Sequence, residues 1–251
     1  MHAGDTHMVN ISIGECLGKG WEGFQRHPGT AIGGFFLYML ISVVGQSIPF
    51  LNIAFLIFVM APLAGGVVIF FLRLAKDASP AVGDIFDGFD KYGKFMGAFW
   101  LLYVIVLACA IPAVIMVLIA VAAQRQIGDG AAAALMVTGG LASVVIVIVV
   151  AIRWVFVFFL LADEKNLGVI DAFKKSSELT RGWRGKLLLT LFVMSLVSFC
   201  GLLLLIVGMF VTGPIVGIGV AWLYVEAKRQ VWGAQPGLAA PAVTSPLPPI
   251  G

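Results

Sequence analysis

The chain has 251 residues, 61% of them hydrophobic and 12% charged, with a formal net charge of +3 and a mean hydropathy of +1.05. Soluble domains carry about 25% charged residues, so this composition excludes a water-soluble particle of this size, and so small a net charge gives no basis for a nucleic-acid partner. A bilayer core about 30 Å thick needs roughly 20 apolar residues in a helix, and the chain supplies several such runs.

The N-terminal stretch MHAGDTHMVNISIGECLGKG has neither a charged leader nor an apolar core of signal length, so the first span is expected to double as the targeting signal. An amphipathic segment follows, with Ile13, Leu17, Trp21 and Phe24 on one helical face and Lys19, Glu22 and Arg26 opposite. Two apolar runs, at about 29–49 and 51–75, are separated by little more than Gln46-Ser47-Ile48-Pro49 and predict a tight hairpin of two spans. A second amphipathic segment places Val82, Phe86, Phe89 and Tyr92 against Asp84, Asp87, Lys91 and Lys94. The third and fourth spans fall at about 95–122 and 132–161. Both runs exceed what a bilayer needs, which predicts tilt, a kink at Pro112 or extension past the surface.

A third amphipathic segment, 169–183, carries Asp171, Lys174, Lys175, Glu178 and Arg181 on its polar face. The last apolar stretch divides into spans at about 185–203 and 206–227, with the turn expected nearer Gly201 than Gly208. Residues 233–251 hold five prolines and no charge and read as a disordered tail. The amphipathic segments have the period of helices lying in a membrane interface. The fold expected is therefore all-α: a polytopic membrane helix bundle over residues 1–232, with six transmembrane helices and three amphipathic interfacial helices in three helix-plus-hairpin units.

Lysine and arginine set the expected orientation, because short loops rich in them stay cytoplasmic. Fourteen lie on the side of the two termini and one, Arg125, on the other, with Arg153 set apart within a span. Both termini are thus expected in the cytoplasm. Each unit opens on an acidic residue followed two positions later by an apolar one: Glu15 and Leu17, Asp84 and Phe86, Asp171 and Phe173. PLAGGVVIFFLRLAK from Pro62 and PIVGIGVAWLYVEAK from Pro214 align without gaps, sharing the proline, a glycine, a valine and a final Ala-Lys; the middle unit lacks the proline. Gly65, Gly66, Gly217 and Gly219 suit close helix approach, and the two prolines are expected to kink their helices.

Arg153 is the one charged side chain deep in a span. Burying arginine there costs about 2.5–3.5 kcal/mol on insertion scales. It calls either for a partner carboxylate, a lipid phosphate or a substrate anion, or for snorkelling to the headgroups beside Trp154. Glu226 is the carboxylate expected as its partner. Asp84, Asp87 and Asp90 share a helical face that could hold a divalent cation, but with Lys91 and Lys94 alongside they read better as a solvated face. The histidines, His2, His7 and His27, form no HExxH arrangement, and no nucleophile elbow or P-loop occurs. Cys16, Cys109 and Cys200 match no metal spacing and imply no disulfide framework.

Two stretches, APLAGGVVIFFLRLAKDASPAVGDIFDGFDKYGKF and DAFKKSSELTRGWRGKLLLTLF with the later VTGPIVGIGVAWLYVEA, resemble a broad group of uncharacterised bacterial membrane proteins. Better-known relatives of that group are the membrane domains found in front of some glycerophosphodiester phosphodiesterases. The shared features are Ala172 to Ser176 as Ala-x-x-x-Ser, an arginine in span four and a proline-then-tyrosine pattern in span six. The resemblance implies six spans and a bacterial inner-membrane home. It brings no activity, because this chain contains no phosphodiesterase domain. The function expected is that of a non-catalytic inner-membrane protein, without cofactor or metal, that organises or assembles proteins or lipids. Its partners would be membrane lipids, anionic by the basic segments, with a membrane protein as a further candidate partner and no nucleic acid. The alternative is a small transporter of a lipophilic or amphiphilic substrate, and a lipid-modifying enzyme ranks last.

Overall fold

Ser12 Oγ accepts the Glu15 N–H at 3.1 Å and Glu15 Oε2 accepts the Ser12 N–H at 2.9 Å. That reciprocal cap starts α1, Ile13–Arg26. The computed structural model describes residues 11–49, 51–203 and 206–233. Pro28, whose missing N–H costs nothing at a helix start, opens α2, Pro28–Ser47. There follow α3 (Leu51–Phe58), α4 (Met60–Lys76), a 3-10 segment (Val82–Gly88), α5 (Tyr92–Trp154), α6 (Val157–Asp163), α7 (Val169–Leu179), α8 (Arg184–Leu203) and α9 (Ile206–Trp232). No strand occurs among the described residues. Among the described residues five helices are long and apolar enough to cross a membrane: α2, the two arms of α5 (Tyr92–Ala122 and Gly128–Asp163, the latter continuing through α6), α8 and α9. The pair α3–α4, bent by 55°, makes a sixth. The architecture is an all-α polytopic helix bundle.

Three local features differ from the sequence expectation. The run 51–75 is not one straight span but breaks at Val59, three residues before Pro62. A proline ring excludes the carbonyl four residues back, so the helix restarts with Pro62 inside its first turn, where no N–H is needed. Pro112 and Pro214, by contrast, lie within continuous α5 and α9. The runs 95–122 and 132–161 are joined through Gly128, which adopts φ +81° and ψ 161°. The arms on either side run antiparallel, Gly139 against Met116. The second amphipathic segment is a 3-10 turn rather than an α-helix, with Pro80, Gly83 and Gly88 denying it helical length. The reversal between α8 and α9 and the tail beyond Gly233 lie outside the described residues.

The amphipathic elements pack into the bundle as well as bordering it. In α1 the buried positions are Cys16, Gly20, Gly23 and Phe24, while Trp21 stays 46% exposed. Small residues lie inside because the backbones nearly touch. A Cβ on Gly20 would collide with the Ile215 carbonyl of α9, and one on Gly66 of α4 with the Ile85 carbonyl of the 3-10 segment. The third element, α7, donates from Ser176 Oγ (3.1 Å) and Thr180 Oγ1 (3.4 Å) to the Arg153 carbonyl, left free where α5 stops. Each amphipathic element thus rests on the second span of the preceding unit, and α1 closes the circle on the second span of the last. Cys16, Ile85 and Ala172, which follow Glu15, Asp84 and Asp171, are all fully buried.

Between the second spans lies an aromatic core, in which Phe156 and Phe159 each pack on Tyr224 with ring centroids 5.6 and 5.4 Å apart. The excess length of the fourth span ends there: Val157, Phe159, Leu160 and Leu161 are buried in protein, whereas Val137, Leu141, Val145 and Val149 are exposed.

Gly18 and Gly20 lie on one helix but meet different surroundings, since a Cβ at Gly18 meets nothing within 4 Å. Gly20→Ala is expected to lower stability by about 1–3 kcal/mol. Gly18→Ala should raise it by roughly 0.5–1 kcal/mol through helix propensity alone. Thermal unfolding of the detergent-solubilised protein measures both.

Candidate functional site: a charged knot and cleft at one end of the bundle

The repeat that aligns Pro62 with Pro214 ends on Lys76 and Lys228. In the middle unit the matching position, likewise preceded by alanine, is Asp163 at the end of α6. The three corresponding helix ends meet. Asp163 Oδ1 accepts from Lys76 Nζ at 2.5 Å, and Oδ2 accepts from Lys228 Nζ at 2.7 Å and from the Tyr224 hydroxyl at 3.2 Å. Lys228, with only 4% of its side chain exposed, also reaches Glu164 Oε1 at 3.1 Å. Glu164 Oε2 takes Lys175 Nζ at 2.6 Å, which ties α7 to the knot. A buried ammonium is tolerable only where carboxylates compensate its lost hydration, and Lys228 has two. Burial pushes the Glu164 carboxyl up, but hydrogen bonds from Lys175 and Lys228 outweigh it and hold the group below its ordinary value.

The surrounding charges are distributed in the same way. Arg73 pairs with both Asp84 and Asp87, the latter at 2.6 Å. Asp84 Oδ2 also accepts the Ala81 N–H at 2.9 Å, capping the 3-10 segment. This overturns the expected solvated aspartate face at Asp84, which is buried with a counter-ion from α4 rather than from Lys91 or Lys94, whereas Asp90 is exposed. Asp77, just past α4, accepts from Arg26 Nη1 at 3.3 Å and lies 2.8 Å from His27 Nε2, so the hinge between α1 and α2 is anchored here too. Lys91 Nζ donates to the Leu161 and Ala162 carbonyls at 2.9 and 2.7 Å, and Lys94 Nζ to the Lys165 carbonyl at 2.5 Å. Cations at a helix C-terminus are favoured by its dipole and free carbonyls. A cleft of about 440 Å³ opens among these groups, lined by Arg73, Lys76, Asp87, Asp90, Lys91, Asp163 and Lys165 over Ile69, Leu72 and Ala162.

Arg153 and Glu226 are not brought together. Arg153 is exposed, donates from Nε to Ser177 Oγ at 2.7 Å and sits 5.9 Å from the Trp154 ring centroid. Glu226 Oε1 accepts from Arg229 and Gln230, both at 2.7 Å. Neither lines the cleft. Among the described residues no group of three or more His, Cys, Asp or Glu side chains is placed to hold a metal ion. As a chemical site the knot is closed: both oxygens of Asp163 are taken up by cations and a hydroxyl, which leaves no free carboxylate there for proton transfer.

Residues 30–232 match the family described as "Protein of unknown function (DUF975)". The chain belongs to that family. No curated protein and no solved structure matches the chain. The family is uncharacterised and carries no link to glycerophosphodiester phosphodiesterases, so that part of the resemblance rests on the sequence segments alone. The matched region contains the whole knot, from Lys76 to Lys228, but begins after α1.

Sequence reasoning assigned Asp163 no role. The signal that could have found it was present: it holds the position of Lys76 and Lys228 in the repeat and follows an alanine as they do.

Asp163→Asn leaves Lys76 without a carboxylate and Lys228 with Glu164 alone. Breaking a buried pair by removing one partner costs roughly 3–5 kcal/mol, and a loss near the lower end is expected, read as a fall in melting temperature. Adding Lys228→Gln should recover part of it. Glu164 predicts the acid side of the stability profile. Its folded pKa lies below the ordinary 4.5, so its contribution is complete above that pH and is lost as pH falls through the folded value. The melting temperature should therefore drop below about pH 4.5, and Glu164→Gln should lower the plateau while making the drop shallower.

Proposed function

We propose that the chain is a non-catalytic integral protein of the bacterial inner membrane, with both termini in the cytoplasm, that organises lipids or membrane proteins at the charged end of its bundle. The observation that carries this reading is the commitment of the knot: its carboxylates are saturated by Lys76, Lys175, Lys228 and Tyr224. A hydrolase or transferase acting through the knot would need one of these carboxylates free as acid or base. The bias of lysine and arginine toward the side of the termini supports the orientation. The aromatic packing of Phe156, Phe159 and Tyr224 beneath the knot speaks against a polar path along the bundle axis.

A small transporter of an amphiphilic substrate is the second reading. It is favoured by the 55° bend at Val59 in the span whose lower end lines the cleft, since broken helices border substrate sites in many transporters. Native mass spectrometry of protein extracted gently from its own membrane should show a stoichiometric protein or lipid companion. Purified protein in liposomes should leave amphiphile distribution between leaflets unchanged. Transbilayer movement that requires the protein, with no companion retained, would reverse the order of the two readings.

A further inference from the structure

Among the described residues, several charges at this end of the bundle stand outside the ion pairs, Asp90 and three lysines among them. Lys91, Lys94 and Lys165 stand together around the C-terminus of α6, and none of them forms an ion pair with a carboxylate. Among the described residues, Lys91 and Lys94 have main-chain carbonyls as their partners, and the Lys165 ammonium has no hydrogen bond or ion pair. Of the three carboxylates lining the cleft, Asp87 is on Arg73, and Asp163 is on Lys76 and Lys228 while also attracting Lys91; Asp90 stands outside these ion pairs. Burial, and then repulsion from Lys94 and less so Lys165, lowers the Lys91 pKa against the attraction of Asp163. Lys91 and Lys165 line the cleft of about 440 Å³ and Lys94 stands beside it on the Lys165 carbonyl, an incomplete electrostatic arrangement that an anion would complete.

The surroundings indicate which anion. Phe86, Phe89 and Tyr92, on the same stretch as Lys91 and Lys94, are exposed aromatics of the kind found at headgroup level. From Tyr92 the chain continues into an arm of mean hydropathy 3.1 with only 6% of its most apolar window buried in the protein. The lysines therefore mark the point where a lipid-facing helix leaves a charged cleft. A ligand here would have its phosphate in the cleft and its acyl chains along the apolar arm.

We propose that Lys91, Lys94 and Lys165 bind the phosphodiester of an anionic membrane lipid, with Lys165 contacting it directly and Lys91 contributing from the wall of the cleft. The proposal rests on the lipid-organising reading above and gives it a place and a ligand chemistry. Asp90 sets a limit on the charge admitted, disfavouring a phosphate that carries a second negative charge.

The test uses the full chain in nanodiscs of phosphatidylcholine doped with phosphatidylglycerol, followed by native mass spectrometry of the released protein. The parent should retain one phosphatidylglycerol. Lys165→Gln should weaken retention about fivefold, the effect of one lysine near a lipid surface. Its melting temperature should not change, because the amine it removes holds no partner. Lys174→Gln, a cation exposed on α7 beside Asp171, should bind as the parent does. Equal retention by Lys165→Gln and parent would overturn the site and leave the lipid-organising reading standing. No retention by the parent would overturn both. Displacement of the lipid by inorganic phosphate would show that the cleft takes a free anion and would overturn the lipid assignment.

Discussion

Lys76 and Lys228 end the second spans of the first and third units, and each puts its ammonium on Asp163 at the end of the second. Two lysines at corresponding positions of a repeat would repel one another if the helices converged. The aspartate between them makes the convergence of α4, α6 and α9 possible. What surrounds it follows from that meeting. Asp77, one residue past Lys76, receives Arg26 and His27 and so fixes where α2 begins. Glu164, one residue past Asp163, receives Lys175 and fixes α7. Lys91, one residue before α5, closes the carbonyl end of α6. Each connector starts or ends against the knot, and the cleft is the space that these anchorages leave.

A second constraint operates higher in the bundle and is steric. Bringing three amphipathic elements against three second spans requires backbones close enough that a methyl group is too large at Gly20, Gly66 and Gly88. Close approach without side chains to fill the gap gains little hydrophobic driving force in a membrane, where van der Waals packing and hydrogen bonds are what remain. The Arg153 carbonyl shows the alternative: where the middle unit has no proline, two hydroxyls of α7 satisfy the backbone at the break. The units therefore solve one packing problem in two ways, and this explains why identity between them is low outside units one and three.

Much of this was legible in the sequence and some of it was not, for identifiable reasons. Apolar runs of bilayer length reveal spans because hydration of a backbone in lipid is unaffordable whatever the tertiary arrangement. Periodicity gave the amphipathic segments, but of the apolar face of α1 only Phe24 is buried, and beside it the inward residues are Cys16, Gly20 and Gly23. Hydropathy weighs size, whereas the contact with α9 selects smallness. The pairing of Arg153 with Glu226 was inferred from depth along helices, a coordinate that says nothing of which way a side chain points. Glu226 instead meets Arg229 and Gln230, three and four residues on, the neighbours that helical geometry supplies at little entropic cost. Asp163 stayed hidden because an identity match between units treats a lysine replaced by an aspartate as a mismatch. In space the reversed charge is what makes the correspondence visible.

That reversal also bears on why the position is charged at all. A well-packed apolar triad could hold three helix ends together at least as firmly as a buried ionic one, since desolvation consumes most of the Coulombic gain. Apolar ends, however, would meet in any pairing, and three homologous hairpins offer several. With lysine, aspartate and lysine, the charged ends of the first and third units repel one another, so that α4 and α9, which pack together along the bundle, have their lysines joined through Asp163 of the middle unit. Lys228 deepens the preference by requiring both Asp163 and Glu164, adjacent residues that only the middle unit presents. The charges contribute order more than adhesion. They select one arrangement of repeated parts, and that arrangement leaves Lys91, Lys94 and Lys165 at the edge of the cleft with their positive charge unmatched.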